Sequence, residues 1–174
     1  MRVLNVHERR LPRPASDVDV VDLIDSLSSG HDALWPRSMW PAMRFDRPLS
    51  VGADGGHGPI HYSVEEYVPG RRVQFRFSRP TGFNGHHRFE VLPDGDKACV
   101  LRHTIEMEAE GLALLSWPLA IRPLHDALLE DALALAQASL GIAPEIRPWS
   151  PWVKALRWLL SAGKANAQTF GAKP

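Results

Sequence analysis

Between Met43 and Glu108 the chain alternates apolar and polar residues in short runs, the period of half-buried strands. From Leu112 to Leu140 the period changes to that of a helix with one apolar face. The same logic reads a first strand over Arg2–Arg9, with Val3, Asn5 and His7 on one side and Leu4, Val6 and Glu8 on the other. Ser16 or Asp17 then caps a helix to about Leu27, striped by Val20, Leu23, Ile24 and Leu27. Residues 31–41 carry Trp35, Trp40 and two prolines and read as a helical turn or compact loop. Met43–Asp46 reads as a short strand, and Pro48–Gly58 as a glycine-rich connection without structure of its own.

Two hairpins come next. Pro69-Gly70 is a turn dipeptide between Pro59–Val68 and the strand around Val73–Phe77. A two-residue turn sets Val64 opposite Phe75 and Tyr62 opposite Phe77, apolar against apolar. A three-residue loop, Asp94–Asp96, joins Phe83–Leu92 to Lys97–Glu110. It pairs Val91 with Cys99, Phe89 with Leu101 and His87 with His103. On the helical segment, Leu114, Trp117, Ile121, Leu124, Leu128, Ala132, Leu135 and Ala136 share one arc. Asp126, Glu130 and Gln137 fall outside it, as a solvated face, and Pro118 and Pro123 kink or delay its start. Gly141 ends it.

These elements predict an α+β fold in which a curved antiparallel sheet wraps a long C-terminal helix and leaves an unfilled interior. Residues 1–141 form that domain. Residues 142–174 are a proline-rich linker, a short amphipathic helix at 151–160 and a disordered tail from Ala162.

The motifs Glu66-Tyr67-Val68-Pro69-Gly70-Arg71-Arg72-Val73-Gln74-Phe75-Arg76-Phe77, His87-Arg88-Phe89-Glu90-Val91 and Leu101-Arg102-His103-Thr104-Ile105-Glu106-Met107 resemble the START-like helix-grip superfamily. Arg122–Leu128 resembles the closing helix of its bacterial members. The resemblance runs from about Val3 to Leu140. It implies a fold that hosts ligand binding, transport, cyclisation and interaction roles, with no shared catalytic set.

Composition narrows the function. Twenty basic residues balance twenty acidic ones, which argues against nucleic acid as a partner. A single cysteine, Cys99, forbids an internal disulfide and reads as core packing. No apolar run spans a bilayer, so stable membrane insertion is not expected. The N-terminus lacks a signal core, which makes the cytoplasm the simplest location.

The candidate chemistry is imidazole. His87 and His103 share the face of Phe89, Val91, Leu101 and Ile105, and His125 lies in the helical arc. Such groups move protons near neutrality and suit cyclisation or dehydration. The same positions also suit hydrogen-bonded core histidines. No metal-ligand spacing is present, and no metal or cofactor is expected. His57, His61 and His86 are assigned to a loop or the opposite face, and Glu66 to the inner side near the turn. Tyr62, Val64, Phe75, Phe77, Phe89, Leu101, Ile105, Trp117, Ile121 and Leu128 are the candidate ligand wall, with Trp35, Trp40 and residues 80–84 at its mouth. The first functional reading is binding of a small hydrophobic or polycyclic molecule. The alternatives are a cyclase/dehydratase-type enzyme and a protein-interaction domain. The 151–160 helix offers a contact for a second copy or a partner.

Overall fold

The computed structural model describes the backbone of residues 1–170 and the side chains of residues 1–161. Seven strands form one antiparallel sheet: β1 (Arg2–Leu11), β2 (Arg44–Phe45), β3 (Asp54–His57), β4 (Ile60–Val68), β5 (Arg72–Arg79), β6 (Phe83–Pro93) and β7 (Cys99–Ala109). Their order is β1-β7-β6-β5-β4-β3-β2, so the first strand closes against the last. α1 (Val18–Asp25) comes after β1, and Asp17 caps it by accepting from the Asp19 N–H. After β7 come α2 (Ala113–Ser116), a π-helical turn (Trp117–Ile121), α3 (Arg122–Ser139) and α4 (Pro151–Phe170).

The β4–β5 pairs fall where the alternation puts them, Val64 on Phe75 and Tyr62 on Phe77. The turn itself is one residue longer than expected: Val68 pairs with Arg72, and a bulge between Val64 and Glu66 absorbs the extra residue. The bulge reverses the facing of the residues beyond it. Glu66 therefore lies on the outer face, paired with Arg72, and not on the inner side. Tyr67 turns inward instead, and its hydroxyl donates to Asp25 at the end of α1. Gly70 has φ +68°, and a Cβ there would meet the Val21 side chain at 2.6 Å, so only glycine fits between turn and helix.

The β6–β7 hairpin keeps the expected facing but slips by two residues. Val91 pairs with Leu101, Phe89 with His103 and His87 with Ile105. Asp94 N–H closes a longer loop on the Ala98 carbonyl at 2.9 Å. A slip of two preserves every side chain's face, whereas a slip of one reverses it.

Residues 54–57, read as unstructured connection, are strand β3. Asp-Gly-Gly-His has no alternating pattern to reveal a strand. Gly55 and Gly56 are needed because the Arg44 and Ile60 carbonyls lie where a Cβ would stand.

The late helix is broken by the π-helical turn, closed by the Arg122 N–H on the Trp117 carbonyl. One extra residue per turn shifts the phase of everything beyond it by one position. The buried face of α3 is accordingly Leu128, Leu129, Ala132, Leu133, Ala136 and Gln137. Gln137, placed outside the arc by an unbroken period, is buried, and Leu114, placed inside it, is 45 % exposed. Gln137 is satisfied by accepting from the Glu145 N–H.

α4 runs past Leu160 to Phe170, where disorder was expected, and residues 171–174 lie outside the described residues. It is docked at its start. Asp131 accepts from the indole N–H groups of both Trp40 and Trp149. The Arg157 guanidinium lies 4.2 Å from the centre of each of those two rings. Trp152 donates to the Leu119 carbonyl. Among the described residues no helix is long and apolar enough to cross a membrane.

Candidate functional site

The concave face of the sheet, covered by α3, carries the residues the alternation pointed to. Tyr62, Val64, Phe75, Phe77, Phe89, Leu101, Ile105, Trp117 and Leu128 are buried there, and Ile121 is half-buried. The expected open hollow is instead closed by side chains. Tyr62, Phe75, Phe89 and Leu101 have no exposed surface at all, so no water-sized void adjoins them. Phe75 packs against Tyr62 at 5.0 Å and stacks on Phe45 at 5.8 Å. Large aromatic and imidazole rings converge on this face, and the phase shift beyond the π-helical turn seats Leu129 and Leu133 in the core.

Two imidazoles sit within this wall. His87 Nδ1 and His103 Nε2 share a hydrogen bond of 3.1 Å although the strands pair them diagonally and not directly. His87 is stacked between Phe75 and Phe77, 4.8 Å from each, with the Tyr62 ring at its edge. His103 stands edge-on to Phe89 at 4.6 Å. Burial holds both imidazoles well below their ordinary pKa, and the neighbouring histidines add to the effect, so both are neutral. In a neutral pair one ring donates the shared proton and the other accepts it. The two remaining nitrogens, His87 Nε2 and His103 Nδ1, are then one donor and one acceptor, and their roles exchange when the acceptor takes up a proton, the shared proton shifts and the donor releases its own. Both of those atoms are buried and have no partner among the described residues.

Histidine chemistry extends both ways from this pair. On one side His57, assigned by sequence to a loop, shares a 2.9 Å hydrogen bond with the Tyr62 hydroxyl and packs on Trp35. Burial, with His125 and His61 as minor contributors, pushes its pKa down to about 3. Burial also keeps the Tyr62 phenol protonated. On the other side His125 lies 5.0 Å ring to ring from His103. Its pKa is lowered by burial, against the opposing pull of Asp126.

Beyond His125 is a cluster that the sequence did not single out. The inward face of β1 is polar in its middle, between the buried Val3 and Leu11: Asn5 and Arg9 are buried while Leu4 and Val6 are exposed. His7 Nε2 meets Asp126 Oδ1 at 3.0 Å, and His7 Nδ1 meets Glu130 Oε1 at 2.9 Å. Asn5 donates to Asp126, and Arg9 pairs with Glu130 and Glu145. Burial opposes a charge on His7, but the two carboxylates outweigh it and raise its pKa. Asp126 is likewise held well below the carboxylate range: burial pulls the other way, and the polar contacts of His125, His7 and Asn5 prevail. Glu130, mostly buried, and Asp126, about one third exposed, are therefore bonded to β1 and are not a solvated helix face. The signal available in sequence was β1 itself, whose two faces are both part polar, so alternation alone leaves its direction open.

His61 is exposed, and His86 lies on the outer face against Glu106, as the alternation predicts. Trp40 donates to Asp131 of α3 and carries Arg157 of α4 on its ring, and Trp35 donates to the Pro41 carbonyl, so both are held by defined partners. Two open clefts, of about 330 and 530 Å³, lie elsewhere. One is on the outer face around Leu4, His86 and Glu106, and the other is at the β6–β7 loop around Arg10 and Lys97.

No family model and no curated protein matches the sequence. Solved structures do. A protein from Thermobifida fusca is 19% identical, with a TM-score of 0.59 over 83% of this chain and 97% of that one. Norcoclaurine synthase from Thalictrum flavum, in complex with dopamine and hydroxybenzaldehyde, is 16% identical, with a TM-score of 0.57 over 83% of this chain and 90% of that one. CalU16 from Micromonospora echinospora is 14% identical, with a TM-score of 0.55 over 90% and 89%. At these identities the likeness is one of architecture: this chain has the START-like helix-grip fold.

Proposed function

We propose that the protein binds a small, mostly apolar molecule between the sheet and α3, and that the free nitrogens of His87 and His103 take up its polar group. The observation that carries this reading is the unpartnered pair of buried nitrogens, His87 Nε2 and His103 Nδ1, inside an aromatic wall. Each buried polar atom without a partner costs about 1–3 kcal/mol. A phenol or enol hydroxyl that reaches one of them removes that cost, and a second polar group on the ligand serves the other, because the two nitrogens lie at opposite ends of the bonded pair. Aromatic rings of Tyr62, Phe75 and Phe77 supply the apolar contact, so a flat or polycyclic body suits the wall. Because the wall is closed, entry requires side chains to part. The rim residues Phe45, Ile121 and Leu124 are only partly buried and are the natural place for that opening. A fold neighbour in complex with two small aromatic molecules supports the same class of ligand.

The shared proton favours a second reading, a cyclase/dehydratase-type activity. A neutral imidazole pair that donates at one end and accepts at the other can add a proton to a substrate at one atom and remove one at another. The test is direct. The purified protein is extracted with organic solvent, and a panel of phenolic and polycyclic compounds is screened by thermal shift and native mass spectrometry. Binding by wild type, weakened by His103→Ala, is expected. No extracted material and no hit across the panel sinks the binding reading. Binding without turnover of any bound compound leaves binding as the function and removes catalysis.

A further inference from the structure

We propose that His7, His125 and Asp126 form a site for a divalent transition-metal ion, with zinc as the best-fitting probe. β1 supplies His7 and α3 supplies His125 and Asp126, with one ligand atom of each within 4.8 Å of the others; Asp126 Oδ1 faces both His7 Nε2 and His125 Nδ1. Donors bonded at about 2.0–2.1 Å to one tetrahedral ion stand roughly 3.3 Å apart. Two of the three edges already bracket that spacing: His7 to Asp126 is 3.0 Å and His125 to Asp126 is 3.7 Å.

Three further observations separate this cluster from an ordinary ion pair. His125 Nδ1 is buried and unpartnered, and at 3.7 Å it is too far from Asp126 to hydrogen-bond. Asn5, only 8 % exposed and bonded to Asp126, also holds its own Oδ1 without a partner. Finally, Glu130 Oε1 grips His7 Nδ1, and Arg9 in turn holds the other Glu130 oxygen. A carboxylate on the far nitrogen is how metal-bound histidines are oriented: it keeps the proton on Nδ1, so that an ion displaces only the Nε2 proton that His7 now donates to Asp126. Arg122 approaches Asp126 through Oδ2, which leaves Oδ1 to the cluster. Two imidazoles and one carboxylate form a borderline donor set that suits zinc or iron(II) and not calcium or magnesium.

This site is independent of the ligand reading, because it uses neither His87 nor His103. The test titrates the full-length protein, first stripped with chelator, with zinc chloride by calorimetry, and with cobalt(II) by visible absorption. One ion per chain and the intense visible bands of tetrahedral cobalt are expected. His7→Ala, His125→Ala and Asp126→Asn each abolish the cobalt bands. Glu130→Gln keeps them but weakens zinc affinity by roughly tenfold to a hundredfold, as loss of an orienting partner does. If a variant fails to fold, zinc-induced shifts of the His7 and His125 ring resonances in the wild-type protein decide the matter. Absence of zinc binding, shifts confined to other histidines, or binding indifferent to all four substitutions overturns the proposal.

Discussion

His87 Nδ1 and His103 Nε2 stand 3.1 Å apart, on strands that pair His87 with Ile105 and His103 with Phe89. Among the described residues, the diagonal bond makes each ring the other's hydrogen-bond partner, and neither has another. His87→Phe alone leaves His103 Nε2 unpaired, and His103→Leu does the same to His87 Nδ1. Each is expected to lower stability in urea by about 1–3 kcal/mol. The double variant removes the polar atoms together and is expected to lose clearly less than the sum. Additive losses in a double-mutant cycle would show that the bond contributes nothing.

The buried imidazoles make stability depend on pH, with a defined sign. His57, His87, His103 and His125 have folded pKa values below the ordinary 6.5, so the unfolded chain binds more protons than the folded one in that interval. Their contribution is full above pH 6.5 and is lost as pH falls toward the folded values, about 3 for His57. His7 runs the other way: its raised pKa stabilises the fold below 6.5, and that gain fades as pH rises through the folded value. Four lowered groups against one raised predict a melting temperature that drops steadily below pH 6.5. The His87→Phe/His103→Leu variant should show a shallower drop between pH 6.5 and 4.5. An identical profile in both proteins would contradict the assignment.

Arg9 is 6 % exposed and is held by Glu130, itself 13 % exposed, and by the largely exposed Glu145. Glu130→Leu leaves the buried Arg9 guanidinium with only the exposed Glu145, and takes one of the two carboxylates from His7. Breaking a buried pair in this way costs about 3–5 kcal/mol, whereas replacing both partners with apolar groups often restores most of it. Chemical denaturation should therefore rank Arg9→Met/Glu130→Leu above Glu130→Leu. The reverse order would mean that the pair is not desolvated in solution.

Asp131 holds two indoles, Trp40 from the segment before β2 and Trp149 from the segment before α4. Asp131→Ala leaves both N–H groups unpaired and loosens the strap that seats Arg157 between the rings. The expected readouts are a red-shifted tryptophan emission and faster proteolytic cleavage within residues 142–150. Arg157→Ala should give the same cleavage more weakly, since the indole bonds survive. Unchanged cleavage in Asp131→Ala would show that α4 is held by other contacts.

Much of the site was legible because β-strand facing depends only on parity. His87, His103, Phe89 and Leu101 were assigned inward through a register two residues off, and a slip of two leaves every facing intact. Parity fails where a single residue is inserted. The bulge at Glu65 turned Glu66 outward, and the π-helical turn rotated the buried face of α3 so that it takes in Leu129, Leu133 and Gln137 beside Leu128, Ala132 and Ala136. Neither insertion leaves a mark in composition, although Pro118 and Pro123 did signal an irregular helix start. β3 was missed for a different reason, because glycines forced by close backbone approach carry no hydrophobic pattern.

By itself, then, the sequence determined the order of the strands other than β3 and of the main helices, the pairing of Tyr62 and Val64 with Phe77 and Phe75, and the apolar wall around two histidines. Those features come from local periodicity, which each segment carries alone. Tertiary structure decided which face of β1 turns inward, and with it the meeting of Asn5, His7 and Arg9 with Asp126 and Glu130. That choice has no local cause. Leu4 and Val6 are left exposed because the polar face of β1 finds ionic partners on α3, and a strand cannot register in its own residues a partner more than a hundred positions away.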